Sequence, residues 1–407
     1  MLDEAVPGPG RGSTVLMSRR SPRTLSLATL LAAMSAAYVI ASCAESETLP
    51  RLPIQDAGHA DTHAPLPPVE GCNAGEWCPV ALPPERISIN GIWGSASNDV
   101  WIAASPAVVF HWDGTELSRT KIETQLPLAS VWGSGPGDVW AFGSTKWIWH
   151  NDGAGAPDGG WSRSSGAEVD SGTGMDPLGH PMPIAAMWGS SASDVWAVGA
   201  SVVGFDFMTR LPTLYHCDGW RNGEPQWQAS GIPIAEPPYF DSATYNAICG
   251  GPSTGVWVVG DGGKTRFSEG WRGDHADWKA INTDTSRNLN AVWCGPDGDV
   301  WAAGESGLMR RFTRGDGGDY VDLAVEPPTN QSIRALWGLA ADDVWVVGDA
   351  GTILHWDGTS WKNAEGALRS VTTEDLLAIW GSSKDDIWIA GRNILLHHGK
   401  TPESKAP

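Results

Sequence analysis

The sequence predicts an all-β fold, a seven-bladed β-propeller of four-stranded antiparallel blades closed by an N-terminal strand. Three observations predict it. Tryptophans stand eight positions apart six times, at Trp93/Trp101, Trp132/Trp140, Trp188/Trp196, Trp293/Trp301, Trp337/Trp345 and Trp380/Trp388. A seventh copy keeps the second Trp at 257 and places Cys249 where the first belongs. The last three steps between second tryptophans are 44, 44 and 43 residues, and a period of about 40–50 marks a propeller or a similar array. Finally, 50 glycines and a charged fraction of 18% suit many short strands joined by tight turns.

Taken from the N-terminus, Met17 opens a basic segment, Ser18 to Arg23, followed by a mostly apolar run from Leu25 to Ala41. This is the layout of a secretory signal. The run ends Ile40-Ala41-Ser42-Cys43, which is similar to the bacterial lipobox, and the resemblance implies a lipid on Cys43. The alternatives are a spanning anchor, for which the apolar run is short, or simple cleavage and secretion. Residues 1–42 are expected to be a lipoprotein signal peptide and 43–70 a disordered tether, rich in Pro, Ala, Asp and His. Ala44 after the Cys, in place of an Asp, leans toward the outer rather than the inner membrane. Lipidation would anchor the chain to a membrane without spanning it.

Export would place the other five cysteines in an oxidising compartment. Cys72 and Cys78 are near enough in sequence to close a small loop. Cys249 and Cys294 occupy neighbouring slots of adjacent repeats, and a bridge there requires Cα atoms within about 7 Å. Cys217 is then the thiol without an internal partner. No cysteine spacing reads as a zinc site.

The propeller is expected over 71–399, with 400–407 as a tail. The copy from Ala335 to Trp361 shows the plan: four short strand-forming runs with Gly or Asp at the corners. A β-branched residue precedes every second Trp, from Val100 to Ile387. Asp stands before it at 99, 138, 194, 299, 343 and 386, read as a cap on corner amides. His111, His150, His216 and His355 recur in the third strand, and His397 or His398 fills that slot in the last copy. One residue per blade is a repeat feature: catalysis and metal binding need groups that converge. The tryptophans are read as packing between blades. The last copy lacks a fourth strand, and residues 76–82, carrying Trp77, are expected to supply it and remove an open edge.

The steps 140→196 and 196→257 are 56 and 61 residues, longer than the others. The surplus lies in Arg163–Pro183, Val202–Pro212 and Gly231–Asn246, which should crowd one face above blades 2 to 4. Candidate binding residues there are Phe205, Phe207, Tyr239, Phe240 and Tyr245, expected to be exposed, with Asp261, Lys264, Glu305, Asp349 and Arg392 around the same rim.

The net charge is −20, and residues 1–42 contain four Arg and two acidic residues, which leaves the remainder at −22. That excludes nucleic acid as a partner and adhesion to anionic lipid through the globular surface. The Trp repeats resemble those of bacterial envelope propellers. More distantly they resemble BNR or Asp-box propellers and the photosystem II assembly-factor type. Asp357-Gly358-Thr359-Ser360-Trp361 is similar to a compressed Asp-box. The resemblance covers about 76–399 and implies the fold far more than a function. No sialidase Arg cluster, phosphate loop, nucleophile elbow or EF-hand is found, so no catalytic residue, cofactor or metal is expected. The sequence reading is a lipid-anchored envelope scaffold that binds a protein partner. A lectin-like binder of surface polysaccharide is the alternative, and a sialidase-type hydrolase the third.

Overall fold

The computed structural model describes residues 76–124, 126–143, 147–153, 160–165, 184–203, 209–230, 244–364 and 372–399. They form seven four-stranded antiparallel sheets. The first blade runs Ser88–Ala96, Asp99–Ser105, Val108–Trp112 and Leu117–Lys121, and each later copy repeats this meander. The first strands of successive blades touch one another in a closed cycle and make the inner ring. The fourth strand of the last blade is Trp77–Pro79, as residues 76–82 were expected to supply. Trp77 pairs with His398 and Pro79 with Leu396, and Val80 N–H donates to Leu395 O at 2.9 Å. Pro79 is tolerated because this strand is an outer edge.

Each Trp-x7-Trp pair sits directly opposite across the first two strands, as at Trp93↔Trp101 and Trp337↔Trp345. Cross-strand partners share a face, so both indoles turn toward the same seam. The second Trp is at most 9% exposed in every blade. Burying 150–250 Å² of each contributes about 4–6 kcal/mol of transfer free energy. The buried residues fall into seven clusters, and each joins two consecutive blades. The core is therefore a ring of seams.

Two contacts repeat at these seams. At the inner ring, the first-slot indole lies over the glycine that follows the equivalent Trp or Cys of the next blade. Trp93 covers Gly133, Trp132 covers Gly189 and Trp188 covers Gly250; Trp293 covers Gly338, Trp337 covers Gly381 and Trp380 covers Gly94. A Cβ on any of these glycines would lie 2.5–2.9 Å from the indole, which no side chain tolerates. Farther out, a residue of the fourth strand stands edge-on against the second-slot Trp of the preceding blade. Trp161 meets Trp101 at 5.6 Å, Trp361 meets Trp301 at 5.6 Å, and Trp77 meets Trp345 at 5.7 Å. Tyr320 does the same to Trp257 at 4.6 Å. Trp77 thus occupies the slot of Trp361, as the sequence comparison expects.

The seam between blades 4 and 5 has no first-slot indole. Cys249 and Cys294 are disulfide-bonded there, with Cα atoms 5.6 Å apart. Cys217 is free and buried. Cys78 is disulfide-bonded. Its expected partner Cys72 lies outside the described residues, as do Cys43, the signal peptide and tether expected over 1–70, and the tail at 400–407.

Candidate docking face

The turns after each second strand and the links between blades share one face. In blades 4, 5 and 6 the turn is a single 3-10 turn: Asp261–Gly263, Glu305–Gly307 and Asp349–Gly351. Its middle residue is left-handed, at φ 64° in Gly262, 53° in Ser306 and 54° in Ala350. The acid that opens each turn binds back to its own blade. Asp261 accepts from Asn246 Nδ2 at 3.0 Å, and Glu305 from Asn288 Nδ2 at 3.0 Å. Asp349 accepts a two-pronged bond from Arg334, at 2.6 and 2.8 Å. The amide of the middle residue then donates to the next link: Gly262 to Asn288 Oδ1 at 2.8 Å, Ala350 to Asp375 Oδ1 at 3.2 Å.

Of the predicted rim residues, Asp261, Glu305 and Asp349 are therefore half-buried anchors of the turns. Lys264 follows the first turn, and burial, with Arg266 beside it, lowers its pKa. Arg392 is exposed and lies 3.5 Å from Asp375. Arg334 was not singled out from the sequence. The bond to Asp349 raises its pKa, aided by Asp375 and Glu305 and opposed by burial, so it is a fixed cation amid carboxylates. Its signal is positional, since it fills the first-strand bulge slot held by Asn246 and Asn290 in other blades.

Tyr245 corrects an expectation. It is 0% exposed, packed between blades 3 and 4. It occupies the slot twelve before the second Trp, which Ile89, Leu128, Ile184, Leu289, Ile333 and Leu376 fill elsewhere. An aromatic ring there is core, and burial raises its phenol pKa. Phe205, Phe207, Tyr239 and Phe240 lie outside the described residues.

The insertion in blade 3 is partly regular structure. Strands Asp194–Val203 and Thr209–Arg221 stay paired beyond Gly199, through Ala200↔Pro212 to Val203↔Thr209. In five other blades the second strand ends at the equivalent Gly, such as Gly143 or Gly348. Four extra residue pairs make a ribbon about 13 Å long, at about 3.3 Å per residue. The inner neighbour of the ribbon stops at Ile184↔Gly199, and the outer one at Tyr215↔Ala229.

The opposite face corrects the reading of the repeated Asp as a backbone cap. Asp138 Oδ1 accepts from Trp140 Nε1 at 2.9 Å and from His150 Nε2 at 2.7 Å, and Oδ2 accepts from Ser134 Oγ at 2.5 Å. Asp194 does the same with Trp196, His216 and Ser190. Asp99 repeats it with Trp101, His111 and Ser95. Asp386 binds Ser382 and His397, which settles which histidine fills the slot. Burial raises the pKa of Asp138, Asp194 and Asp386, but the bonds from His, Ser and Trp outweigh it and hold these carboxyls low. Arg311 replaces the His in blade 5, and blade 4 has Gly255 and Phe267 instead of the pair. In each full hub the carboxylate stands between the hydroxyl and the imidazole. The serine donates to a carboxylate and has no imidazole base, so the set is not wired as a nucleophile.

Among the described residues no group of His, Cys, Asp and Glu could hold a metal. A shallow groove of 310 Å³ opens at the outer seam of blades 4 and 5, beside Lys279, Asn282, Tyr320 and Asp322. Trp220, at 36%, is the one markedly exposed tryptophan among the described residues.

No protein-family model matches the chain, and no curated protein matches it. Among solved structures it is similar to YCF48 bound to D1 peptide, at a TM-score of 0.58 and 18% identity, over 82% of this chain and 97% of that one. It is similar to YCF48 from Cyanidioschyzon merolae at 0.58 and 17%, over 80% of this chain and 98% of that one. These likenesses show a shared fold, at a distant resemblance in sequence.

Proposed function

We propose that this chain is a non-catalytic scaffold that binds a polypeptide partner on the face of the blade 3 ribbon and the Arg334–Asp349 rim, and that a lipid on Cys43 holds it to the bacterial outer membrane. The observation that carries the reading is asymmetry. A near-regular ring needs no extra ribbon for stability, and the described strands that flank the three insertions have their adjoining ends on the same face. Loops and appendages on a rigid scaffold are where binding concentrates. A propeller of the same fold, YCF48, is seen with a bound peptide. The wiring of the Ser–Asp–His groups supports a non-catalytic role.

The test is affinity capture with the tagged full chain from detergent-solubilised envelope of the native cell, with protein and carbohydrate both identified. One defined protein is expected, lost when 200–212 is replaced by a tight turn while the melting temperature holds. Carbohydrate without protein would move the reading to a polysaccharide binder, with exposed Trp220 as the first ring to test. Cys43→Ser is expected to shift the chain from the membrane to the soluble fraction; persistence in the membrane would remove the lipid from the proposal.

A further inference from the structure

Six of the seven seams close at the inner ring by an indole over a glycine. At the seam of blades 4 and 5, Cys249 stands in the indole slot and Cys294 in the glycine slot, and the two are bonded. The replacements are reciprocal. A side chain at 294 would strike an indole at 249, as a Cβ would at the other six glycines. A cysteine at 249 alone would leave the volume of an indole unfilled. The disulfide answers both conditions by filling the gap with the two side chains that created it. The same seam lacks the hub in blade 4, and the groove of 310 Å³ opens at its outer end. Trp257 also packs across it against Phe312 and Tyr320. Hydrogen bonds cross it from Asn246 Nδ2 to Leu289 O at 3.0 Å, Gly262 N–H to Asn288 Oδ1 at 2.8 Å and Ser253 Oγ to Pro296 O at 2.7 Å. The disulfide is its one covalent cross-link among the described residues.

We infer that the Cys249–Cys294 bond is the seventh inter-blade clasp, that closure of the inner ring is completed by oxidation, and that a dithiol reductant opens this seam before any other. One thiolate of the dithiol forms a mixed disulfide with one cysteine and expels the other as a thiolate. The second thiol of the reagent closes its own disulfide and releases the remaining cysteine. The two protons given up by the reagent leave Cys249 and Cys294 as thiols. The ring is thus fitted to an oxidising compartment. This agrees with export but does not rest on the identity of any partner.

The experiment is hydrogen exchange on the full chain, oxidised and after treatment with dithiothreitol, with both thiols verified by alkylation and mass. Exchange in Tyr245–Gly251 and Leu289–Cys294 is expected to quicken at least about tenfold while the other first strands hold, and the melting temperature to fall by about 5 °C or more. Cys78→Ser separates the contribution of the other disulfide. Cys249→Ser with Cys294→Ser should reproduce the reduced behaviour without reductant, and Cys249→Trp with Cys294→Gly should restore a reductant-insensitive ring. Unchanged exchange in both segments after full reduction would overturn the inference. So would acceleration spread evenly around the ring in the Cys78→Ser background, or a bond that resists the dithiol until the whole ring unfolds.

Discussion

In four blades a single carboxylate, Asp99, Asp138, Asp194 or Asp386, ties the second and third strands to the corner before them. Asp386 receives His397 at 2.6 Å and Ser382 at 2.5 Å. Hydrogen bonds to a charged group are worth about 1.5–3 kcal/mol each before desolvation is set against them. Asp386→Asn is therefore expected to lower stability by roughly 1–3 kcal/mol at pH 7, read from the urea midpoint. The sign with pH follows from the lowered pKa of Asp138, Asp194 and Asp386. Their contribution is complete above the unfolded-state pKa of about 4 and is lost as pH falls through the lower folded-state value. The gap between wild type and Asp386→Asn should narrow below about pH 4. A gap that stays constant to pH 2.5 would mean the carboxylate contributes no charge-dependent stability. This hub was half legible in the sequence. The Asp and His recurred visibly, but His216 lies 22 residues after Asp194 where His150 lies 12 after Asp138, so no fixed spacing joined them. Tyr245 was fully legible: counting twelve back from Trp257 puts it in a line of Ile and Leu.

At the scale of strands and seams, the Trp repeat reads out because each copy solves the same packing problem. The glycine after the first Trp is as much part of the solution as the indole. Gly381→Val would place a Cβ 2.6 Å from Trp337 and 2.8 Å from the Asp386 carbonyl. Backbone cannot retreat as a side chain can, so the expected cost is about 2–3 kcal/mol or more. Trp337→Ala in the same chain should recover part of it, making the pair non-additive in denaturant unfolding. Strict additivity would mean that the two residues do not share the seam. The closing strand was legible because Trp77 matches Trp361 and the last copy visibly lacks its fourth run. The blade 3 ribbon was not, because extra length reads as loop until pairing such as Val203↔Thr209 shows it as strand. The role of the rim acids was also hidden, since nothing local in the sequence says that Asp349 faces Arg334 fifteen residues earlier.

For the whole molecule, the ring distributes its core evenly and its exceptions unevenly. Blade 3 carries the extra ribbon, and blades 4 and 5 share the disulfide and the outer groove. Regularity was predictable because every blade must match its neighbours. The exceptions carry the individuality of the protein, and period alone cannot interpret them. The meeting of Trp77 with His398 has a further consequence. The two ends of the described ring lie side by side within one sheet, so where the polypeptide begins is a matter of history rather than of architecture. A short peptide joining Gly399 to Glu76 would make the backbone a covalent circle. Cutting that circle between exposed Ser286 and Arg287, in the link from blade 4 to blade 5, would leave every strand pair intact. Such a circular permutant should fold to the same seven blades, with its new ends held across the seam that Cys249 and Cys294 already join.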